Sequence, residues 1–341
     1  MKIFLNGRFI DSKDAKISAF DHGFLYGDGI YETLRTYNGK IWQVEKHLKR
    51  LEQSAKLTAL NLPWSKKKMV EWLEKLLKIN GFSLPRSGSL ESPAGSSRFQ
   101  KGFRRSRTRF PEARIRITLT RGANNFDFTS CKKPTLMMTA SRLIPEPKEV
   151  YSKGVRVISV KLQRILPEVK TTSLFSFVLA RQKMAQHHAY EALYVDDRDF
   201  ATEGTVTNFF IVSRGILLTP KHNILIGTTR DVIFKIAKKL GIKVREVDLK
   251  LSQVVRADEI FITNAPKGIV PVREVISIKN YKLKIKNDGG GARAARSPLE
   301  ISNPSGRLGV ASQQFFTAPG PVTKKLMGGF REYVALVSYR L

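Results

Sequence analysis

Strand and helix signals follow one another along this chain without regular alternation, and that order restricts the architectures open to it. Residues 2–9 read as a hairpin turning at Asn6-Gly7, and a strand at 30–37 runs into Asn38-Gly39, a strong tight-turn signal. Residues 44–57 then place Val44, Leu48, Leu51 and Ala55 on one helical face. Residues 66–79 do the same with Val70, Leu73, Leu76 and Leu77 before Asn80-Gly81 stops the helix. Strands follow at 114–120 and 135–139, and Ile144-Pro145-Glu146-Pro147 reads as an extended linker. The second half mixes strands at 155–160, 191–195, 208–212 and 216–218 with helices at 174–187 and 229–240, and another helix opens at Pro319-Gly320-Pro321. A doubly wound parallel sheet would alternate its elements, so this order predicts an α+β fold. At 341 residues the chain is long enough for two α+β domains, expected at 1–143 and 151–341 with a linker at 144–150.

Two segments interrupt this pattern. Residues 83–110 set Arg86, Arg98, Lys101, Arg104, Arg105, Arg107 and Arg109 against one acid, Glu91, and residues 287–317 are rich in Gly, Ser and Ala. Neither has strand or helix periodicity, and structureless loops of this length are unusual in compact domains. Both are expected to be disordered surface insertions, the first alternatively an anion-binding arm. Removing 83–110 should leave catalysis nearly unchanged and weaken retention on nucleic acid.

The formal net charge of +31 favours anionic partners. The basic residues, however, are mostly scattered lysines such as Lys66, Lys67 and Lys68, with no zinc-finger spacing or ribonucleoprotein aromatic motif. Nucleic acid is therefore expected to bind only non-specifically, through the basic insertions, and an acidic or phosphorylated small molecule would gain equally from the field. The one cysteine, Cys131, has no Cys or His at metal-ligand spacing and reads as a bystander thiol, so no metal is expected. No apolar run approaches the roughly 20 residues that cross a bilayer. The first residues read as a strand and turn rather than a signal peptide, which makes the cytoplasm the expected location and a membrane no partner.

The chemistry concentrates in five motifs. Pro167-Glu168-Val169-Lys170-Thr171-Thr172-Ser173 is followed by Glu203-Gly204-Thr205-Val206-Thr207-Asn208, a lysine and a carboxylate on separate segments. A lysine amine can condense with an aldehyde as a Schiff base, and a carboxylate can keep a pyridine nitrogen protonated. Gly227-Thr228-Thr229 precedes a helix, where unpaired amides and the helix dipole receive an anion. Arg50, three residues beyond His47, can add a bidentate fork. The fifth motif is Tyr26-Gly27-Asp28-Gly29-Ile30-Tyr31-Glu32.

Together these motifs resemble the fold-type IV pyridoxal phosphate family, which holds branched-chain aminotransferases, D-amino acid aminotransferases and aminodeoxychorismate lyases. The resemblance implies two α+β domains with pyridoxal 5'-phosphate in the cleft between them, in a homodimer. It makes Lys170 the Schiff-base lysine and Glu203 the partner of the ring nitrogen, with Asn208 holding the turn after it. Arg50, Thr228 and Thr229 would hold the phosphate, and Tyr31, Arg116, Thr263, Asn264 and Ala265 would face the substrate. The chain also departs from its relatives: Ala123-Asn124-Asn125-Phe126 lacks the Arg-x-His expected of D-amino acid enzymes, and Leu174 and Phe175 stand where a tyrosine is usual. Asn264, in place of a glycine, is closer to the lyases. The first functional expectation is transfer of an amino group from an apolar L-amino acid to 2-oxoglutarate. The alternatives are pyruvate elimination from aminodeoxychorismate, and a basic nucleic-acid-binding protein that keeps the fold without catalysis.

Overall fold

The computed structural model describes residues 1–82, 111–124, 133–278 and 310–339. The expected insertion at 83–110, most of the one at 287–317, and Cys131 lie outside the described residues. Among the described residues no helix is long and apolar enough to cross a membrane.

The first half comprises β1 (Lys2–Leu5), β2 (Arg8–Asp11), α1 (His22–Leu25), β3 (Gly29–Tyr37), β4 (Lys40–Ile41), α2 (Val44–Leu57), α3 (Lys66–Ile79), β5 (Ala113–Thr120) and β6 (Thr135–Arg142). Its strands form one antiparallel sheet in the order β2-β1-β6-β5-β3-β4. Alternation along β5 buries Ile115, Ile117 and Leu119 beneath α2 and α3, and turns Arg114, Arg116 and Thr118 to the open face. Leu48, Leu51 and Ala55 of α2 and Leu73, Leu76 and Leu77 of α3 are buried as their spacing requires. Val70 is only half-buried at the core's edge, and Met69 takes the inner position.

The second half comprises α4 (Lys148–Ser152), β7 (Val155–Lys161), α5 (Phe175–Gln186), β8 (Glu191–Val195), β9 (Phe200–Gly204), β10 (Asn208–Ser213), β11 (Ile216–Pro220), α6 (Thr228–Lys239), β12 (Val244–Val247), β13 (Leu249–Lys250), α7 (Leu251–Val254), β14 (Glu259–Asn264), β15 (Gly268–Ile278), β16 (Val310–Phe315) and α8 (Pro321–Tyr339). Its sheet runs β12-β11-β10-β14-β15-β7-β8-β9-β13, with β16 on β15. The β7–β8, β7–β15 and β11–β12 pairs are parallel. Two expectations need correction here. Helix α4 begins inside the expected linker, leaving 144–147 outside helix and strand, and β16 is a paired strand inside the segment read as featureless. The two cores also touch: Trp42 is 3% exposed and packs edge-on against Phe330 and Tyr333 of α8.

Candidate active site

The lysine segment leaves β7 and crosses to the first sheet. Tyr31 N donates to Lys170 O at 2.9 Å, Thr172 N donates to Gly29 O at 2.8 Å, and Thr172 Oγ1 donates to Gly27 O at 2.8 Å. Gly27 has φ +68°, and a Cβ there would lie 3.3 Å from Ser173 Cα, so the close approach and the left-handed backbone both call for glycine. Two motifs far apart in sequence thus form one local structure. Lys170 Nζ lies 4.6 Å from the centre of the Tyr31 ring, and Arg116 Cζ lies 3.9 Å from it. Burial holds the Lys170 amine below the usual lysine range; Tyr31 and Glu32 oppose that shift, while Arg50 and Arg164 reinforce it. For the Tyr31 hydroxyl, burial pushes the other way, but Lys170, Arg116 and Arg164 outweigh it and keep the group more acidic than a free tyrosine.

Glu203 sits within β9 and is 4% exposed. One carboxylate oxygen accepts from Arg164 Nη1 at 2.8 Å and the other from Leu225 N at 3.0 Å. Burial pushes the Glu203 carboxyl up, and Arg164, the Leu225 amide and Lys170 restrain it. Arg164 also donates to Val169 O, next to Lys170. A second buried carboxylate, Glu191, accepts from Thr205 N at 3.1 Å, Ala192 N at 2.9 Å, Thr207 Oγ1 at 3.1 Å and the Thr205 hydroxyl, and so fixes the turn after Glu203. Asn208 Nδ2 donates to Leu225 O at 2.7 Å and ties that turn to the chain entering α6.

At the start of α6 the N-cap is Gly227. A Cβ there would lie 2.1 Å from Asn208 Oδ1, so only glycine brings this backbone so close. His47 bridges the halves: its Nδ1 lies 2.7 Å from Glu32 and its Nε2 lies 3.2 Å from Thr228 Oγ1. Burial, the largest influence, lowers the His47 pKa and favours the neutral ring, which donates to Glu32 and accepts from Thr228. Burial would raise the Glu32 pKa, but Arg50 and then His47 overcome it and bring it to about 2. Arg50 differs from expectation. Its Nε and Nη2 both bond Glu32 at 2.7 Å and its Nη1 donates to Ile226 O at 2.8 Å, so the fork engages Glu32 and only the remaining Nη hydrogens face outward.

The amino-transferase class IV family pattern matches residues 29–275. A protein of Methanocaldococcus jannaschii, assigned as a branched-chain-amino-acid aminotransferase, is 37% identical over 284 residues, covering 81% of this chain and 88% of its own. The chain belongs to the class IV amino-transferase family. The aminodeoxychorismate lyase of Bacillus subtilis is 28% identical to this chain over 319 residues, covering 86% of this chain and 99% of its own. Among solved structures, a branched-chain aminotransferase of Thermoproteus uzoniensis with norvaline has the same fold at TM-score 0.73 and 22% identity, covering 100% of this chain and 96% of its own.

The family's cofactor is pyridoxal phosphate, and the aminotransferase has a place that fits it. A cavity of about 430 Å³ lies between the two sheets and is lined by each of the eleven residues that the sequence nominated. Among the described residues the buried hydroxyls of Thr229 and Thr263 have no hydrogen-bond partner, and Thr229 stands at the start of α6, where helix amides are open to an anion. Thr228 is less available because its hydroxyl meets His47. Thr263 and Asn264 end β14, and the turn after them is closed by Lys267 N donating to Asn264 Oδ1 at 3.0 Å and tied to the first sheet by Arg35 Nη1 donating to Pro266 O at 2.9 Å. Sequence reasoning missed Arg114, Arg164, Arg181 and Glu191, which also line the cavity. Arg114 had a signal, since it alternates with Arg116 on β5; the other three carried none.

Proposed function

We propose that this class IV aminotransferase transfers the amino group of an apolar L-amino acid to 2-oxoglutarate, in two half-reactions that share one cavity. The observation that carries the reading is convergence: Lys170, Glu203 and the N-terminus of α6 come from three separate segments and line the same space. When bound, pyridoxal phosphate supplies an aldehyde for amine condensation and a ring that takes up the electron pair released at the substrate's α-carbon. Lys170 Nζ, its charge disfavoured by burial, accepts and returns the proton at that carbon. Glu203 keeps a proton on the ring nitrogen. The open amides of α6, with Thr229, Thr228 and Arg50, hold the phosphate, and Asn208 keeps that turn in place. Tyr31, Arg116 and the 263–265 turn receive substrate carboxylates, and Arg114 and Arg181 on the cavity wall suit the second carboxylate of 2-oxoglutarate. Branched-chain character is supported by the Methanocaldococcus jannaschii relative at 37% identity.

The test is an absorption spectrum of the purified protein with added substrates. A visible band that collapses with leucine and returns with 2-oxoglutarate supports transamination. Asn264 favours the lyase as the second reading, and pyruvate release from aminodeoxychorismate, with no response to leucine, would replace the first. A colourless protein with salt-sensitive DNA affinity would remove both.

We also propose that the chain has two domains, 1–143 and 148–341 with α4 opening the second, and that the enzyme is a cytoplasmic homodimer. Phe24 and Phe175, 75% and 71% exposed beside the motifs of the site, supply apolar surface for a second copy. Sedimentation should give twice the chain mass of 38.5 kDa, and cell fractionation checks the location.

A further inference from the structure

We propose that Arg164 is a positioning residue that locks Glu203 and the Lys170 segment into one rigid unit. The inference rests on the reading of Lys170 and Glu203 given above, and the geometry behind it is specific. Arg164 lies in the irregular stretch between β7 and α5, with its side chain only 12% exposed. One Nη donates to Glu203 Oε1 at 2.8 Å and the other to the carbonyl of Val169. Lys170's own carbonyl is held from the opposite side by Tyr31 N at 2.9 Å, so the backbone at the lysine is fixed on both flanks. A planar fork sets the distance between its two acceptors, which a flexible ammonium does not. Leu225 N takes the second carboxylate oxygen at 3.0 Å, and each oxygen keeps a lone pair for a further donor.

Arg164 also sets charge. The groups facing Glu203 are Arg164, the Leu225 amide and Lys170; those facing Lys170 are Tyr31, Glu32, Arg50 and Arg164, and Tyr194 lies near both Arg164 and Glu203. A carboxylate this buried tends to take up a proton, and Arg164 is the cation hydrogen-bonded to it. Without Arg164, Glu203 would lose the cation that opposes its uptake of a proton, and Lys170 would lose a cation that disfavours its own protonation. The loss of that cation favours a protonated nitrogen at Lys170.

The experiment compares holoenzymes of the wild type, Arg164→Met, Arg164→Lys and Lys170→Ala, reading the pH midpoint of the visible band, kcat and KM separately. Arg164→Met should still bind cofactor, with the midpoint moved to higher pH by about one unit or more. Its kcat should fall by roughly 100-fold or more, with a much smaller change in KM. Arg164→Lys keeps the charge and loses the fork, so it should restore most of the midpoint and little of kcat. A folded Arg164→Met holoenzyme with wild-type midpoint and kcat would overturn the proposal. If that variant does not fold, wild-type kcat in Arg164→Lys would overturn it instead. A visible band that survives in Lys170→Ala would remove the underlying assignment of the lysine, and this proposal with it. Loss of that band beside an unchanged Arg164→Met removes the proposal alone.

Discussion

Replacing Lys170 by alanine deletes an amine whose charge burial already disfavours, so the fold should persist while turnover disappears. Circular dichroism and a transamination assay check the two halves of that expectation, and retained turnover would exclude Lys170 from the reaction. Glu203→Gln should bind cofactor and lose kcat by roughly 100-fold or more, because a neutral amide does not hold a proton on the ring nitrogen. Glu32 gives a pH signature. Its folded pKa of about 2 lies below the ordinary 4.5, so its contribution to stability is complete above pH 4.5 and is lost as pH falls toward 2. The stability gap between wild type and Glu32→Gln should therefore shrink by on the order of 2 kcal/mol between about pH 6 and about pH 3, measured by urea unfolding. A gap that stays constant would place the charge elsewhere. Lys170 and Glu203 were legible in the sequence because the wording around each is distinctive. Arg164 was not, since its partner Glu203 lies 39 residues away and nothing periodic marks an ion pair formed by folding.

The start of α6 concentrates the element-scale consequences. Thr229→Val removes a buried hydroxyl that has no hydrogen-bond partner among the described residues, so the apo fold should be unharmed. Cofactor affinity should fall by about tenfold or more if that hydroxyl bonds a phosphate oxygen, as a cofactor titration would show. Unchanged affinity would assign the anion to the backbone amides alone. Helices α2, α3 and α6 were legible because each keeps one apolar face against a sheet. Strands β14 and β15 were not identified as strands. They are buried along nearly their whole length, which erases the period of two, and Pro271 inside β15 argues locally against a strand. Strand β16 was missed for the opposite reason: Ala311, Ser312, Gln313 and Gln314 carry little strand signal, and pairing to β15 decides their conformation.

For the whole molecule, irregular alternation was enough to indicate α+β, but strand order depends on contacts between distant segments and had no local trace. The insertion of Trp42 into the core of the second half was equally hidden, because an isolated tryptophan has no periodicity. The crossing of the lysine segment onto β3 has a mechanical consequence. Lys170 belongs by connectivity to the second half, yet its backbone is hydrogen-bonded to the first through Tyr31 N, with Thr172 bonded to Gly27 and Gly29 beside it. A hinge opening of the two halves would have to break these bonds together with those from Arg50 to Ile226 and from Arg35 to Pro266. Amide exchange at Tyr31 and Thr172 should accordingly be as slow as global unfolding, and rapid exchange at either would reveal a working hinge. If both amides exchange slowly, the cleft does not open as a jaw: Lys170 stays tied across the joint, and molecules enter and leave along the seam rather than by prising the halves apart.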